Sequence, residues 1–548
     1  MNTLHLSNTQ QDILTAAAIL RDGGLVAMPT ETVYGLAADA LNGRAVRRIF
    51  EAKGRPMDNP LIVHVADVSD IARLGLAARF PDKAQALADA FWPGPLTIIV
   101  PKGRVIPDEV SAGLNTVAIR IPSHPDARRL LQQSGLALAA PSANTSGKPS
   151  PTTAQHVADD MDGRIEAILD GGSSSVGVES TVITLADAVP RILRPGIITR
   201  EQIEAVIGEV EVDRAVLHQL EHDEKASSPG MKYKHYAPRA KVILLRGDSE
   251  RFVTYVNRCY RRFSSVAAMC YDEDAELIEA PTVPIGSRSD LRDQAQRLFD
   301  ALREVDAIAD ENTVVYAPCP KAQGVGMALY NRLIRAAAFE VIDLPERRII
   351  GLTGQTGAGK SEAARMLRDL GAHIVSADAA ARQAVEDADV KAALCAAFGD
   401  VLNPDRSLDR RKVARIAFGS EKNLIILNQI THPRIIRIML DEVNKADEDI
   451  VIFDAPQLFE ANADCYCEQI IAILADRDRR MERLKERDHL SEDDIALRMR
   501  AQNDEAFFRR YADFMIENNG TRDDLLRQIR TLYERLLTDE QTPQSTAE

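Results

Sequence analysis

The clearest chemical signal in the sequence is a glycine-rich motif from Gly354 to Ser361 that reads Gly-Gln-Thr-Gly-Ala-Gly-Lys-Ser. It fits the pattern G-x-x-x-x-G-K-[ST] and lies between an apolar run (349–352) and a helix-forming run (362–367), the context that a phosphate-binding loop requires. Backbone N–H groups of such a loop surround a β-phosphate, its lysine reaches the β- and γ-phosphates, and its hydroxyl binds Mg²⁺. The motif therefore predicts an ATP site with Mg²⁺ as cofactor and Lys360 active in catalysis. The residues of this site are Gly354, Gly357, Ala358, Gly359, Lys360 and Ser361.

Two aspartates follow apolar runs in the same region. Asp454 follows the apolar run 450–453. When a strand brings a carboxylate beside a phosphate loop, the carboxylate is a metal ligand. Without such a loop, an aspartate at this position would be interpreted as a turn or cap residue. Asp378 follows the run 372–375 and could accept a proton from an acceptor hydroxyl. We predict that Asp454 joins Ser361 at the metal and that Asp378 is a general base, which favours a kinase over a GTPase.

Arg483 and Arg487 lie in a helix-forming segment rich in arginine. They are four residues apart, so they share one helix face and could close over phosphates as a lid. The alternative is a solvated basic helix whose arginines pair with Glu482 and Glu486.

Residues 348–535 resemble dephospho-CoA kinase through an ordered set of motifs. The set comprises Leu352-Thr353-Gly354, Ala377-Asp378, Ala381-Arg382, Phe398-Gly399, Leu408-Asp409-Arg410, Asn428, His432-Pro433, Pro456, Leu458-Phe459-Glu460, Arg483, Arg487, Arg498, Gln502, Ala512-Asp513 and Asn518. The resemblance implies that Asp378 deprotonates the ribose 3′-hydroxyl of dephospho-CoA. Ser376 and Gln457 depart from the Asp and Leu usual in the family, which questions the substrate pocket more than the reaction. The alternative is another P-loop small-molecule kinase.

No second loop of this kind precedes residue 354, so a nucleotide site there must be built differently. Lys53 and Arg55 lie two residues apart in the proline-containing segment 53–61. An extended backbone would project both cations to one side, which suits a polyphosphate clamp. A solvated basic loop is the alternative interpretation.

Three further polar segments, 141–147, 171–181 and 194–196, each read alone as turns. The segment 29–36 places hydroxyls and an acid where a strand would pass into a loop, and 92–97 completes a set of five segments. In this order they resemble the YrdC-like fold of threonylcarbamoyl-AMP synthase over most of residues 10–208. The segment 228–238 is similar to the interdomain linker of the two-domain form of that synthase, in which the linker folds across the active site. Residues 324–337 match the end of its accessory domain, although their periodicity indicates only an amphipathic packing helix.

This resemblance implies a synthesis of threonylcarbamoyl-AMP from L-threonine, bicarbonate and ATP, with an indirect link to the tRNA-modifying threonylcarbamoyl transferase. The reaction must hold anionic groups together without a covalent nucleophile, so cations and hydroxyls suit it. By the resemblance, threonine would contact Thr32, His64, Arg120 and Ser180. ATP would contact Arg55, Asn59, Thr116, Ser142, Ser150, Arg194 and Tyr236, with the catalytic Lys53 near the phosphates. His64 lies in an apolar run, where a buried structural histidine is the alternative.

The elements that must position these residues alternate between strand-like and helix-like segments, which is typical of α/β multidomain proteins. Five regions are predicted: a YrdC-like α/β synthase domain (1–225), a linker or lid (226–239), a small Rossmann-like accessory domain (240–345), a P-loop kinase domain with a parallel sheet and helical lid (346–536), and a flexible tail (537–548).

Composition limits the remaining possibilities. The chain has 548 residues, 45% hydrophobic and 27% charged, which is typical of several globular domains. A net charge of −15 argues against stable nucleic-acid binding. Four of the six cysteines are scattered, and the close pair Cys465 and Cys467 has neither zinc-site nor redox CxxC spacing, which indicates reduced thiols. Neither a secretion signal nor a membrane-length apolar run is visible, so we expect a cytoplasmic protein without membrane contact. The sequence thus predicts a bifunctional enzyme, with an RNA-binding YrdC-like module as the alternative for the first domain.

Overall fold

The computed structural model describes residues 2–217, 236–488, 491–500 and 502–538. Its contacts divide the chain into two compact units, one comprising Met1–Arg246 and Ser265–Ile342, the other Gly247–Ser264 and Asp343–Glu548. Most of the predicted linker (226–239) and of the predicted tail (537–548) lies outside the described residues. Across the part of the chain that is described, no helix is long and apolar enough to cross a membrane.

The first unit contains a mixed sheet with eleven described strands in the order β1-β8-β2-β3-β7-β4-β6-β5-β9-β10-β11. The strands are β1 (Leu4–Leu6), β2 (Val26–Met28), β3 (Gly35–Asp39), β4 (Ile62–His64), β5 (Leu96–Pro101), β6 (Thr116–Arg120), β7 (Leu138–Ala139), β8 (Ala167–Leu169), β9 (Thr181–Thr184), β10 (Arg191–Arg194) and β11 (Glu211–Val212). Every residue of β2, β4 and β8 is buried, because both faces of the sheet are covered there, and this is why they read as continuous apolar runs.

The helices around this sheet are α1 (Gln10–Arg21), α2 (Gly43–Lys53), α3 (Ser69–Arg73), α4 (Asp82–Phe91), α5 (Asp108–Ser111), α6 (Pro125–Ser134), α7 (Ala154–Met161) and α8 (Arg200–Ile207), with a short 3-10 turn at Arg214–Val216.

The ends of α2 matter most for function. Asn42 caps its first turn by accepting hydrogen bonds from two backbone N–H groups. Gly54 ends the helix in the left-handed conformation (φ 61°), so that Lys53 is its last residue and Arg55 begins a loop.

A second sheet of the first unit has the order β14-β13-β15-β12-β16. Its strands and helices are β12 (Lys241–Arg246), β13 (Val266–Cys270), β14 (Thr282–Pro284), β15 (Val314–Pro318), β16 (Val341–Asp343), α10 (Leu291–Ile308), α11 (Gly326–Ala336) and a 3-10 helix at Asp272–Leu277, while α9 (Ser249–Arg262) has its contacts in the second unit. The pairs β12–β15, β13–β15 and β13–β14 are parallel. The apolar core beneath this sheet also includes Val33, Val178 and Tyr236.

The second unit is built on a parallel sheet in the order β18-β19-β17-β20-β21. Its strands are β17 (Ile349–Gly354), β18 (His373–Ser376), β19 (Val451–Asp454), β20 (Gln469–Leu474) and β21 (Phe514–Glu517). Its helices besides α9 are α12 (Lys360–Asp369), α13 (Ala377–Ala384), α14 (Ala388–Phe398), α15 (Arg410–Ala417), α16 (Glu421–Val443), α17 (Arg477–Asp488), α18 (Glu492–Arg500), α19 (Glu505–Tyr511) and α20 (Arg522–Leu537), with a 3-10 turn at Ala463–Tyr466. Ligands of such sheets bind beyond the carboxyl ends of the strands, where the strand order reverses.

Helix α9 is fixed to the second unit by specific contacts. The buried Arg258 guanidinium donates to the carbonyl of Cys467 at 3.2 Å and pairs with Asp513 at 2.5 Å. Cys259 and Cys465, both free thiols, place their sulfurs 2.7 Å apart.

The α/β multidomain fold predicted from the sequence is confirmed, and the three apolar runs around the phosphate loop are strands within one or two residues of the predicted bounds. Asp378 differs from its predicted position at a strand tip. The strand β18 ends at Ser376, and Asp378 lies in the first turn of α13, because the Ser376 side chain caps that helix by accepting from the N–H of Ala379.

Candidate active sites

A polar cavity in the first unit brings together nine of the predicted substrate contacts. They are Thr32, Lys53, Arg55, His64, Arg120, Ser142, Ser180, Arg194 and Tyr236. Their side chains come from the ends of β4, β6, β9 and β10, from the end of α2 and from the loops between. Segments that are far apart in sequence therefore converge because the sheet places those strand ends side by side.

Lys53 and Arg55 occupy the cavity wall beyond the end of α2. The Lys53 ammonium donates to the carbonyls of Ser142 and Asn144, the latter at 2.6 Å, and its burial, with the nearby Arg55 charge, holds its pKa well below the usual value. Burial likewise lowers the pKa of Arg55 to about 10. Two buried nitrogens of Arg55, Nε and Nη2, have no hydrogen-bond partner in the described structure, as expected of a guanidinium that receives an anionic ligand.

Thr32, His64 and Arg120 form a second wall, in which His64 and Arg120 are register partners on β4 and β6. Arg120 donates to the Thr32 hydroxyl at 2.8 Å and pairs with the buried Glu31 carboxylate at 2.7 Å. Burial, followed by the Arg120 charge, lowers the pKa of His64 to about 3, so its ring is neutral at neutral pH. Burial acts to raise the pKa of Glu31, but Arg120 outweighs it and the net pKa is lowered.

Ser180 and Arg194 meet where β9 and β10 lie side by side. The Ser180 hydroxyl is 2.7 Å from that of Thr97, and Arg194 donates to both the carbonyl and the hydroxyl of Ser180 at 3.1 Å. Burial lowers the pKa of Arg194 to about 10. The pair therefore offers a fixed hydroxyl and a cation to one end of the cavity.

Tyr236 closes the cavity from the chain segment that leads into the second sheet. It has φ +65° and is 6% exposed, and its ring centroid lies 5.1 Å from that of Phe299 on α10. The neighbouring Ala237 N–H donates to the Gly147 carbonyl at 3.2 Å, which ties this segment to a cavity loop. The rest of the predicted lid, up to residue 235, lies outside the described residues.

Three predicted ATP contacts, Asn59, Thr116 and Ser150, are not among the described residues that line the cavity. Ser150 is fully buried and donates its hydroxyl to Glu179, which does line it, whereas Thr116 borders a small apolar pocket beside Leu61. Their contacts with ATP stay predictions.

The sequence reasoning assigned no role to Asn144, Lys148 or Glu179, although all three line the cavity. Asn144 and Glu179 belong to polar segments already identified in the sequence, and membership of those segments could have marked them as candidate cavity residues. Lys148 follows such a segment without being part of it.

The phosphate loop of the second unit has a tightly constrained backbone. Gly357 and Gly359 have φ values of +82° and +101°, and a Cβ at Gly359 would lie 2.4 Å from Nδ2 of Asn518. The Lys360 ammonium forms an ion pair with Asp454 at the end of β19, and Ser361 occupies the first turn of α12. The predicted lysine and carboxylate thus pair at the carboxyl edge of the sheet, and Ser361 follows Lys360 in the first turn of α12.

Helix α17 contacts the phosphate loop through two arginine side chains. Arg483 donates to the carbonyls of Ala358 (3.3 Å) and Asn518 (3.0 Å), and Arg480 donates to the Thr356 carbonyl at 2.9 Å. Arg487, one turn further on, is exposed. Arg483 therefore holds the loop backbone, a contact that the spacing of the two arginines did not reveal.

The predicted base and the two departures from the family pattern lie near the same edge. Asp378 is exposed, and Ser376 at the end of β18 is the register partner of Asp454. Ser caps α13 as the usual Asp would, and Gln457 is exposed beside the buried Leu458. Both departures are therefore accommodated without disturbing the core.

Comparisons with known proteins match both parts of the chain that carry these sites. Three family models match: one described as Telomere recombination over residues 18–196, one for the threonylcarbamoyl-AMP synthase C-terminal domain over 198–338, and one for dephospho-CoA kinase over 348–524. The chain is 50% identical to the threonylcarbamoyl-AMP synthase of Bacillus subtilis over 62% of this chain and 97% of that protein. It is 38% identical to the dephospho-CoA kinase of Corynebacterium glutamicum over 34% of this chain and 97% of that protein. A solved structure of P. abyssi Sua5 complexed with L-threonine superposes with a TM-score of 0.58 at 42% identity, covering 63% of this chain and 100% of that one.

Proposed function

The chain belongs to the threonylcarbamoyl-AMP synthase family and, through its last 200 or so residues, to the dephospho-CoA kinase family, and we infer that one polypeptide carries both activities. It is a bifunctional transferase and kinase whose substrates include ATP, L-threonine and dephospho-CoA. We propose bicarbonate as the further substrate of the synthase, whose product serves the threonylcarbamoyl transferase of tRNA modification.

The synthase proposal is supported chiefly by the buried, cation-lined cavity of the first unit. Threonine would bind the wall of Thr32, His64, Arg120 and Ser180, where a neutral His64 can accept a hydrogen bond from the ammonium group while Arg120 receives the carboxylate. The partnerless nitrogens of Arg55, with Lys53 and Arg194, would receive the phosphates of ATP. The threonine amine, once its ammonium group has lost a proton, would form a C–N bond with the carbon of bicarbonate, with loss of water, to give the carbamate. A carbamate oxygen would then attack the α-phosphate and displace pyrophosphate, assisted by positioning and by charge stabilisation.

The kinase proposal is supported by the phosphate loop and by what surrounds Lys360. The loop N–H groups and Lys360 would hold the ATP phosphates, and Arg483 would keep the loop in shape. Asp378 would remove the proton from the 3′-hydroxyl of dephospho-CoA while the hydroxyl oxygen attacks the γ-phosphorus of ATP. The bond between the β- and γ-phosphates would break, and ADP would leave.

The Ser361 hydroxyl and the Asp454 carboxylate would hold Mg²⁺, since oxygen donors of this kind bind it together with nucleotide phosphates. When bound with ATP, Mg²⁺ would neutralise charge on the β- and γ-phosphates. Asp454 pairs with Lys360 in the structure, so the carboxylate is held ready at the loop.

A paired assay of the purified chain tests both activities together. We expect threonine- and bicarbonate-dependent release of pyrophosphate from ATP, and CoA formation from dephospho-CoA. If ADP is produced with a nucleoside monophosphate but not with dephospho-CoA, the second unit is another P-loop small-molecule kinase and not a dephospho-CoA kinase. Salt-sensitive retention of tRNA on a filter without ATP and threonine, together with an absence of pyrophosphate release, would indicate an RNA-binding module instead.

A further inference from the structure

The synthase cavity contains one carboxylate among its described cations. The cationic lining residues are Lys53, Arg55, Arg120, Lys148 and Arg194, and the carboxylate is Glu179. ATP, bicarbonate and the threonine carboxylate all bring negative charge, so an ionised Glu179 would repel them and could neutralise the nearest arginine. A site for anions therefore requires that this carboxylate be engaged elsewhere.

The partner of Glu179 is Arg332, which comes from α11, more than 150 residues away along the chain. Arg332 is fully buried, at 0% exposure, and its Nε donates to Oε2 of Glu179 at 3.0 Å. Its Nη2 reaches the backbone carbonyl of Glu179 at 3.3 Å, and its Nη1 donates to the carbonyl of Pro195. One guanidinium thus joins the segment that carries Glu179 to the segment that follows Arg194.

The other oxygen of Glu179 accepts the Ser150 hydroxyl at 2.7 Å, so both carboxylate oxygens are occupied. Arg194 donates instead to Ser180, and no hydrogen bond or ion pair joins it to Glu179 among the contacts of the described residues. Burial acts to raise the pKa of Glu179, but Arg332 and then Arg194 outweigh burial, and the net pKa is lowered. The carboxylate is ionised, and its hydrogen bonds are directed away from Arg194.

We propose that Arg332 is a positioning residue of the synthase: it engages Glu179, keeps that carboxylate off Arg194, and so leaves Arg194 available to the phosphates of ATP. The inference rests on the synthase function proposed above. It gives α11, whose sequence pattern indicates only a packing helix, an indirect role in nucleotide binding.

The proposal predicts a pH dependence that a purely structural role would not produce. Without Arg332, Glu179 would pair with Arg194, and ATP would bind weakly wherever Glu179 is ionised. Burial would then be opposed by Arg194, the Ser150 hydroxyl and a backbone hydrogen bond of Glu179 itself, without the Arg332 charge that opposes it most. Tyr236 also faces the carboxylate, and the pKa of Glu179 would rise. Protonation on lowering the pH would release Arg194, and the defect would shrink toward acid pH.

The test measures the KM for ATP in threonine-dependent pyrophosphate release, which reports only the synthase site. We compare the full-length protein with Arg332→Gln, Arg332→Lys and the double variant Arg332→Gln/Glu179→Gln at pH 6 to 8. Arg332→Gln should raise this KM by about tenfold or more at pH 8 and by less at pH 6, since a charged hydrogen-bonded pair is lost. Arg332→Lys, which keeps the charge, should rescue part of the effect, and the double variant should return the KM to within a few-fold of the wild type.

The matched control is Arg335→Gln, which removes a second buried arginine of the same helix that donates to the Ala215 carbonyl at 2.8 Å. Adding Glu179→Gln should not rescue this control. A pH-independent Arg332→Gln defect, or a double variant as poor as Arg332→Gln, would overturn the proposal. If Arg332→Gln does not fold, the double variant decides, because it buries no unpaired charge: a near-normal KM supports the proposal and a tenfold higher one refutes it. A wild-type chain without pyrophosphate release would count against the synthase function itself.

Discussion

Among single residues, Asp378 and Ser376 show how neighbouring polar side chains have different tasks. Asp378 is exposed at the start of α13, whereas Ser376 caps that helix through the N–H of Ala379. The usual Asp at position 376 and the Ser found here can both accept this hydrogen bond, which explains why the departure is tolerated. Stability is therefore expected to depend on Ser376 and proton transfer on Asp378.

Asp378→Asn keeps the size of the side chain but removes the basic oxygen. We expect kcat for CoA formation to fall by about 10²–10⁴-fold, the usual effect of losing a general base. The KM for ATP should change little, because Lys360 and the loop hold the nucleotide. Ser376→Ala is the control and should cost roughly 0.5–2 kcal/mol of stability through loss of the cap while most of kcat remains. If steady-state kinetics show that Asp378→Asn keeps most of kcat while Ser376→Ala loses it, the assignment of Asp378 as the base is wrong.

His64 makes the stability of the first unit sensitive to pH. Its pKa is lowered to about 3 in the folded state, against about 6.5 in the unfolded chain, so the unfolded state binds more protons between these values. The stabilising contribution is fully present above about pH 6.5 and is lost as the pH falls, by up to about 1.4 kcal/mol per pH unit. Urea unfolding at pH 7 and pH 5 should show a smaller difference for His64→Gln than for the wild type. The exposed His5→Gln is the control and should leave the difference unchanged.

At the scale of elements, the phosphate loop depends on how closely its backbone approaches its neighbours. Asn518 at the end of β21 donates to the Ala358 carbonyl at 2.7 Å and leaves no space for a side chain at Gly359. Gly359→Ala adds a Cβ at φ +101°, a conformation that costs on the order of 1–3 kcal/mol, and displaces Asn518. We expect the KM for ATP in CoA formation to rise about tenfold or more. Gly399→Ala, also at positive φ (+80°) but in open space, should leave it unchanged.

The segment around Tyr236 links the cavity to the core of the second sheet. Its ring packs on Phe299, and Val33 and Val178 belong to the same core. Tyr236→Ala should destabilise the first unit by about 3–5 kcal/mol, the usual cost of removing a buried aromatic ring, and should raise the KM for ATP in pyrophosphate release. Tyr236→Phe, which keeps the ring, should lose less stability than Tyr236→Ala in thermal unfolding. A fragment of residues 1–226 would lose the ring, its partner and Arg332 together, and unchanged ATP affinity in that fragment would contradict the lid role.

For the whole molecule, the presence of two ATP chemistries makes their independence testable. Lys360→Ala removes the cation of the phosphate loop, and we expect CoA formation to be abolished while threonine-dependent pyrophosphate release continues at the wild-type rate. Both assays use the same preparation, so pyrophosphate release that continues shows that the variant chain is folded at the synthase site. Equal loss of both activities in a folded variant would argue against two separate sites. Channelling is not expected, since neither product is the other reaction's substrate.

Local sequence determined the parts of this protein whose chemistry is carried by neighbouring residues. The phosphate loop from Gly354 to Ser361 and its flanking strand and helix could be predicted because a strand, a glycine turn and a helix N-terminus are consecutive in the chain. Asp454, 94 positions from Lys360, could be predicted because it ends an apolar run that reads as a strand. The ordered polar segments of the first domain likewise indicated its family and most of the residues that line its cavity.

Only the tertiary structure decided which of these residues meet and what holds them. Ser150 donates to Glu179, and its contact with ATP stays a prediction. Glu179 is in turn held by Arg332, whose helix carries no chemical signal of its own. Arg483 donates to the loop carbonyl of Ala358, and its part in a lid stays a prediction. The contacts of Arg332 and Arg483 join residues more than 100 positions apart, and Ser150 and Glu179 are 29 positions apart. Periodicity and local motifs therefore contain no information about them, and packing alone selects the partners.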